Sequence, residues 1–336
     1  MQKAGPIIRA KGKMSKVNYA IGVDLGGTNL VAGLVSSAGR VVFNRKLKTE
    51  ANKGRKVVIG NIEKAIQLVI DGCTPEQKKD LKGIGIGAPG LVDHRKGIVR
   101  NPPNLKGWNE VHLAKIISGK FKLPSYVGND ANVYALGEHT FGAGKGADCM
   151  VCITLGTGMG GGLILNKQLY VGSFQTAGEL GHVIIDFNGK QCNCGNHGCV
   201  ERYVGNSYIV ERALEKIKQG RKTAVVKIAG GLDKITPKAL SEAANSGDKL
   251  AQEVWKETGA YAGAALSSII NTLGPRVVVI GGGVSRAGRL ILDPIRAEVK
   301  KRVFKYLAQR VKIVLGTLGD DAAVLGAASL VWHHLK

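Results

Sequence analysis

Apolar, β-branched runs that end in glycine divide the chain into two similar halves. Val17 to Leu25 reads as a strand and ends in Asp24-Leu-Gly-Gly-Thr-Asn29. Leu30 to Val35 and Val41 to Leu47 follow as hairpin partners, with Ala38-Gly39 as the turn. Helical periodicity covers Val57 to Ile70, and a short buried strand at Gly83 to Gly87 runs into the turn Ala88-Pro89-Gly90. A loop rich in Asn and Pro, Asn101 to Trp108, precedes a helix near Val111. Ser125 to Val127 is a further strand, and Asp130 opens a helix that runs to about Phe141.

The pattern then begins again. Met150 to Leu155 is an apolar strand ending in Gly156-Thr-Gly-Met-Gly-Gly-Gly162, with Leu163 to Leu165 and Gln168 to Val171 as hairpin partners around Asn166-Lys167. Helices are expected at Tyr203 to Lys218, Pro237 to Ser246 and Ala251 to Leu273, then a buried strand from Arg276 to Ile280 that enters Gly281-Gly282-Gly283. A basic helix, the strand Lys312 to Leu315 and a helix from Asp321 to His333 close the chain. The repeat predicts two α/β halves across a cleft, each with a glycine-rich turn whose backbone N–H groups can face phosphate. Neither a dinucleotide fingerprint nor a P-loop is present, since Gly26-Gly27-Thr28 lacks the third glycine and no Gly-Lys-Ser/Thr follows at the required spacing.

With 336 residues the chain can bury two cores, and no apolar run is long enough to span a bilayer. The formal net charge of +23 favours anionic ligands. The basic residues are nevertheless spread along the sequence, with denser groups only in Met1 to Lys16 and from Arg296 to Lys312. The second group reads as an amphipathic helix with a solvated face. Without aromatic interleaving, a general charge excess is expected, and no nucleic-acid or membrane partner. The tail, residues 1–16, receives no function.

Three cysteines and a histidine crowd one stretch: Glu179-Leu-Gly-His182, then Cys192-Asn-Cys194-Gly-Asn-His-Gly-Cys199-Val-Glu201. His182, Cys192, Cys194 and Cys199 make a set suited to tetrahedral zinc, and a full shell makes that ion structural. Gly195 and Gly198 allow the tight backbone path. Disulfides or free thiols are the alternative, but Cys-X-Cys is too tight for an easy bridge and no apolar signal segment suggests export to an oxidising compartment. His197 is a competing ligand. Cys149 and Cys152, on a strand three residues apart, point to opposite faces and read as buried hydrophobes, while Cys73 sits in a polar turn.

In order, Asp24-Leu-Gly-Gly-Thr-Asn29, Gly128-Asn129-Asp130-Ala-Asn132, Leu155-Gly156-Thr157-Gly158, Ala177-Gly178-Glu179-Leu-Gly-His182, the cysteine motif through Glu201 and Gly281-Gly282-Gly283-Val-Ser285 resemble the ROK-family sugar kinases, most closely zinc-containing glucokinases. The resemblance covers about residues 17 to 336. It implies the actin-like (ribonuclease H-like, hexokinase-type) ATPase fold, with 17–132 plus 318–336 as a small α/β domain and 133–317 as a large one carrying the zinc. It also implies a cytoplasmic homodimer using ATP and Mg²⁺.

By that resemblance Asp130 is the base that takes the proton of a sugar's primary hydroxyl, although its position also suits a helix cap. Asn129, Glu179, His182 and Glu201 bind sugar hydroxyls, bordered by Gly90 and Asn104. His182 uses its other ring nitrogen on zinc. Gly26, Gly27, Thr28 and Asn29 from one half and Gly156, Thr157 and Gly158 from the other approach the ATP phosphates, and Gly281, Gly282 and Gly283 pass under the adenosine. Asp24 resembles the family's Mg²⁺-associated carboxylate, acting through water. Metal loss is expected to disturb the sugar side and spare the phosphate turns, which lie elsewhere in the sequence.

Glucose is the expected sugar, transferred to at its 6-hydroxyl. Arg202-Tyr-Val-Gly-Asn206 departs from the family's small-residue run, which leaves N-acetylmannosamine, N-acetylglucosamine, mannose and fructose as rivals. Polyphosphate is a rival donor, and a sugar-responsive transcriptional regulator is a rival class. The latter carries a helix-turn-helix domain ahead of the kinase-like part, for which the start of the first strand near Val17 leaves no room.

Overall fold

In a computed structural model, which describes residues 17–335, the repeated pattern becomes two five-stranded sheets. The basic segment 1–16 lies outside the described residues. The first sheet starts as an antiparallel meander of β1 (Tyr19–Leu25), β2 (Asn29–Ser36) and β3 (Val41–Lys48). Helices α1 (Arg55–Asp71) and α2 (Pro75–Lys79) lead to β4 (Leu81–Ala88), parallel to β1. A hairpin of β5 (Leu91–Asp93) and β6 (Ile98–Arg100) and helix α3 (Leu113–Phe121) lead to β7 (Ser125–Asn129), parallel to β4. Helix α4 (Asp130–Thr140) then leaves this sheet.

The second sheet repeats the plan. Strands β8 (Met150–Leu155), β9 (Met159–Leu165) and β10 (Gln168–Tyr170) form the meander. A helical stretch of α5 (Glu201–Val204), α6 (Asn206–Lys218), α7 (Val225–Ala229), α8 (Pro237–Asn245) and α9 (Lys249–Leu273) precedes β11 (Val277–Gly281). Helices α10 (Arg289–Arg302) and α11 (Lys305–Ala308), strand β12 (Lys312–Leu315) and helix α12 (Ala322–His334) finish the chain. The orders β3-β2-β1-β4-β7 and β10-β9-β8-β11-β12 are the same plan used twice. No helix among the described residues is long and apolar enough to cross a membrane.

Each sheet is covered on both faces, which explains its apolar strands. Helices α1 and α3 pack Ile62, Ile66 and Ile117 against Val23, Ile84 and Ile86. The other face of the first sheet is closed by α12, whose Val324, Ala328 and Val331 join Ala20 and Val35. Helix α4 covers one face of the second sheet, with Val133 and Leu136 beside Cys152, Ile164 and Val279. Helices α9 and α10 cover the opposite face. The last helix of each half therefore serves the interface, and α4 and α12 pack on each other there.

Three readings of the sequence change in three dimensions. The glycine run Gly156 to Gly162 is a turn only through Gly158, and Gly160 and Gly162 lie in β9. A side chain at Gly162 would overlap the Cβ of Ala135, so the glycines let α4 approach the sheet. The helix expected from Tyr203 to Lys218 is broken at Gly205 into α5 and α6. The basic segment from Arg296 splits likewise into α10 and α11. Helix α2 and the β5–β6 hairpin were not evident; Thr74 caps α2 in a reciprocal box with Gln77.

Helix α12 lies so close to the first sheet that a Cβ at Gly85 would overlap the Ala327 carbonyl. Gly85→Ala is expected to lower the unfolding free energy by about 1–3 kcal/mol, because the helix must move off the sheet. Urea unfolding should give a lower midpoint at an unchanged slope.

Candidate active site

The parallel strands of both sheets end at one cleft, where open α/β sheets place ligands. Asp24 near the end of β1, Gly90 after β4 and Asn129 at the end of β7 form one wall. Gly156 to Gly158 after β8 and Gly282 after β11 form the other. The cleft measures about 670 Å³. A hollow of about 760 Å³ on the outer edge of the second sheet is larger, but it is lined by Arg296, Lys300 and Lys312 among aliphatic residues and holds no acid, histidine or thiol. The acid–base groups are in the cleft.

Asp130 stands at the head of α4, and the helix is capped by its neighbour. The Asn129 side-chain oxygen accepts from the Ala131 N–H at 3.0 Å and the Asn132 N–H at 3.2 Å. The expected cap role of Asp130 is thus corrected: Asp130 is the first helical residue, with Oδ1 accepting the Ala131 N–H at 2.8 Å. The Asn129 amide also donates to the Gly90 carbonyl at 3.2 Å, which ties the β4 turn to the head of the helix. Desolvation by the surrounding cleft walls holds the Asp130 carboxyl above its usual range although it opens into the cleft, and the nearby Glu179 charge adds to the effect. Burial and then the Asp130 charge push Asp24 up to about 6. Two carboxylates that face one cleft and repel each other suit a divalent cation with oxygen ligands.

On the opposite side, Glu179, His182 and Glu201 line the cleft. His182 ends a short 3-10 turn, Leu180–His182, and Glu201 opens α5. Glu201 also reaches the glycine turn: its Oε2 accepts the Met159 N–H at 2.9 Å, and a side chain at Gly158 would overlap this carboxylate. The helix break at Gly205 serves the same turn, because the Asn206 N–H donates to the Gly156 carbonyl at 2.8 Å. The segment that follows the cysteines is thus hydrogen-bonded to the Gly156–Gly158 turn, although the two lie apart in sequence. Residues far apart in sequence share hydrogen bonds.

His182, Cys192, Cys194 and Cys199 converge, with their donor atoms all within 4.8 Å of one another. Cys194 Sγ and Cys199 Sγ are 3.7 Å apart, and Cys192 Sγ lies 3.9 Å from His182 Nδ1. Thiolates about 2.3 Å from a common zinc in tetrahedral geometry stand about 3.8 Å apart, so the donors fit one such ion. Burial and the neighbouring thiols push Cys199 up to about 12, a crowding that a bound cation relieves. Gly195 at φ 92° and Gly198 at φ 71° supply the left-handed turns around the cluster. His197 is outside this set. Cys152 is buried and Cys149 bonds to the Leu273 carbonyl, apart from the cluster, while Cys73 lies in the bend between α1 and α2 with its side chain buried.

Not every expected residue lines the cleft. Asp24, Gly90, Asn104, Asn129, Asp130, Gly156, Thr157, Gly158, Glu179, His182, Glu201 and Gly282 do. Gly26, Gly27, Thr28 and Asn29 form the β1–β2 turn beside it, where Gly27 abuts Asn104. Gly281 lies behind Tyr134, and Gly283 starts the following 3-10 turn. Asn132 and Tyr134 also line the cleft but were not singled out as site residues. Their signal was spacing, since Tyr134 falls one helical turn after Asp130.

A family model described as the ROK family matches residues 20–334. The chain belongs to the ROK family. Its relatives include the glucokinase of Thermotoga maritima, 37% identical over 93% of this chain and 96% of that protein. Another is the xylose repressor of Caldicellulosiruptor bescii, 33% identical over 94% of this chain and 78% of the repressor. Among solved structures, the ROK-family glucokinase of Streptomyces griseus, in complex with glucose and AMPPNP, superposes with a TM-score of 0.81 at 35% identity, covering 93% of this chain and 99% of the other. The duplicated sheets are thus the two-domain, actin-like ROK fold expected from the motifs.

The Asn129 cap gives a direct stability test. Asn129→Ala is expected to lower the unfolding free energy by about 1 kcal/mol, and Asn129→Ser, which can still cap, should recover most of it. Denaturant unfolding of the three proteins measures the difference.

Proposed function

We propose that this ROK-family protein is an ATP-dependent glucokinase that phosphorylates the sugar's 6-hydroxyl, with Asp130 as general base. The observation that carries the reading is the place of Asp130, which opens into the cleft at the head of α4 between the Glu179–His182–Glu201 wall and the Asp24 wall. The glucokinase relatives support it. Glu179, Glu201 and the free ring nitrogen of His182 offer bonding partners for sugar hydroxyls. Asn129 has its oxygen committed to α4 and one amide hydrogen to Gly90, leaving one amide hydrogen for the sugar. Gly90 and Asn104 close that end.

In this reading Asp130 orients the 6-hydroxyl and accepts its proton as the oxygen bonds to the γ-phosphorus and the bond to ADP breaks. A raised carboxyl pKa brings the base nearer to neutrality, where proton acceptance is most effective. The turn from Gly156 to Gly158 offers its backbone to the phosphates, the β1–β2 turn does so from the first sheet, and Gly281 to Gly283 offer a flat strip to the adenosine. Asp24, with Asp130 beyond it, would hold Mg²⁺ through water; when bound, the ion supplies charge neutralisation to the donor phosphates. His182, Cys192, Cys194 and Cys199 would hold Zn²⁺, whose closed shell fixes the loop.

Coupled ADP release across a hexose panel, with ATP and polyphosphate as donors, tests the reading. Glucose with ATP is expected to give the highest kcat/KM, and no ADP release with any hexose would refute the assignment. A binding-only function, suggested by the xylose repressor among the relatives, predicts sugar binding without ADP release in the same samples. Asp130→Asn is expected to lower kcat by about 10² to 10⁴-fold while sugar affinity changes little. Near-normal turnover in that variant removes the base role.

Metal analysis is expected to find about one zinc per chain. Because α5 and Asn206 touch the glycine turn, Cys194→Ser should raise KM for both glucose and ATP. A rise confined to glucose would show that the turn keeps its shape without the metal loop.

A further inference from the structure

Helix α4 carries Asp130, Tyr134 and Glu138 four residues apart, and so along one stripe of its surface. Tyr134 fills the space in front of Gly281, where its ring and hydroxyl leave no room for a side chain. Glu138, at the far end of the stripe, is 0% exposed. Its Oε2 accepts the Ala143 N–H at 2.8 Å and the Thr317 N–H at 3.2 Å, and Oε1 accepts the Leu318 N–H at 3.1 Å. Ala143 is on the segment leaving α4, while Thr317 and Leu318 are on the segment from β12 into α12. Backbone closes over the carboxylate from both sides: a side chain at Gly142 would overlap Oε2, and one at Gly316 would come within 2.6 Å of Oε1.

A buried carboxylate is unfavourable unless its oxygens are fully bonded, and an apolar side chain could fill the same volume. What an apolar side chain cannot do is bond two separate chain segments in fixed directions. The segment into α12 is where the chain returns from the second lobe to the first, and α4 is where it went out. We propose that Glu138 is a positioning residue that pins the hinge between the lobes, so that α4 presents Asp130 to the glycine turns at a fixed angle. The kinetic part of this proposal rests on the reading of Asp130 as the base; the mechanical part does not.

Two variants test the pin. Glu138→Gln keeps the shape but replaces one acceptor by a donor, and Gly142→Ala displaces the carboxylate while leaving it in place chemically. In ligand-free protein, amide exchange at Thr317 and Leu318 should accelerate in both variants, and small-angle scattering should give a larger radius of gyration than the parent protein. Unchanged exchange and an unchanged radius overturn the pin. With glucose and ATP, kcat per folded molecule should fall about 10- to 100-fold while both KM values stay within about threefold, since small misplacements remote from the reacting atoms cost this much. The double variant should be no slower than the slower single variant, because both act on one element. Retained kcat in the folded fraction with only a lower unfolding midpoint, or additive losses in the double variant, would assign Glu138 a merely structural role. If the parent protein releases no ADP with glucose, the base reading fails, and exchange and scattering still decide the pin. If Glu138→Gln does not fold, Gly142→Ala carries the same measurements.

Discussion

The contact between α4 and α12 is the constraint on which the cleft depends. Each helix belongs by chain order to one half and packs at the seam with the other. A side chain at Gly326 would overlap the Val133 carbonyl, and one at Gly137 would lie 2.9 Å from the Ala322 carbonyl. With backbone this close to backbone, the two helices make the seam about which the two sheets are arranged. The carboxyl ends of their parallel strands are left facing each other, and Asp130 sits where α4 emerges from the contact.

A second constraint joins chemistries that the sequence keeps apart. Glu201 faces the cleft, bonds to Met159 and limits Gly158, while Asn206 holds Gly156. The cysteine segment that precedes Glu201 thereby bears on the Gly156–Gly158 turn. Any ligand that orders one side orders part of the other, and such coupling is reciprocal. The network of Arg202 with Glu211, at 2.8 and 3.0 Å, supports this segment from outside. It also gives the unusual Arg202 a local purpose: the guanidinium stacks on Tyr208, 4.0 Å from the ring centroid.

Much of this was legible in the sequence because it was local. Apolar runs ending at Leu25, Leu155 and Gly281 marked the strands that feed the cleft, and the cysteine spacing marked the donors that converge. What escaped was set by partners distant in the chain. Gly160 and Gly162 looked like more turn because the helix they accommodate lies on the preceding segment. The break at Gly205 was hidden by helical periodicity that continues on both sides of it, and the N–H it frees at Asn206 bonds to the distant Gly156 carbonyl. The assignment of the cap to Asp130 instead of Asn129 was a one-residue error at a helix end, where sequence gives least guidance. Glu138 carried no local signal because its three backbone partners come from two segments, one of them after the final strand.

The placement of α12 on the first sheet has a consequence for the order in which the protein can be made. The strands of that sheet are complete by Asn129, but the helix covering Ala20 and Val35 begins only at Ala322. During synthesis, one apolar face of the first lobe leaves the ribosome well before its cover exists. The second lobe, whose sheet receives α4 from the residues just before it, can close one face at once. The lobe begun first is therefore the lobe finished last, and the nascent chain carries an uncovered sheet face until its final helix emerges.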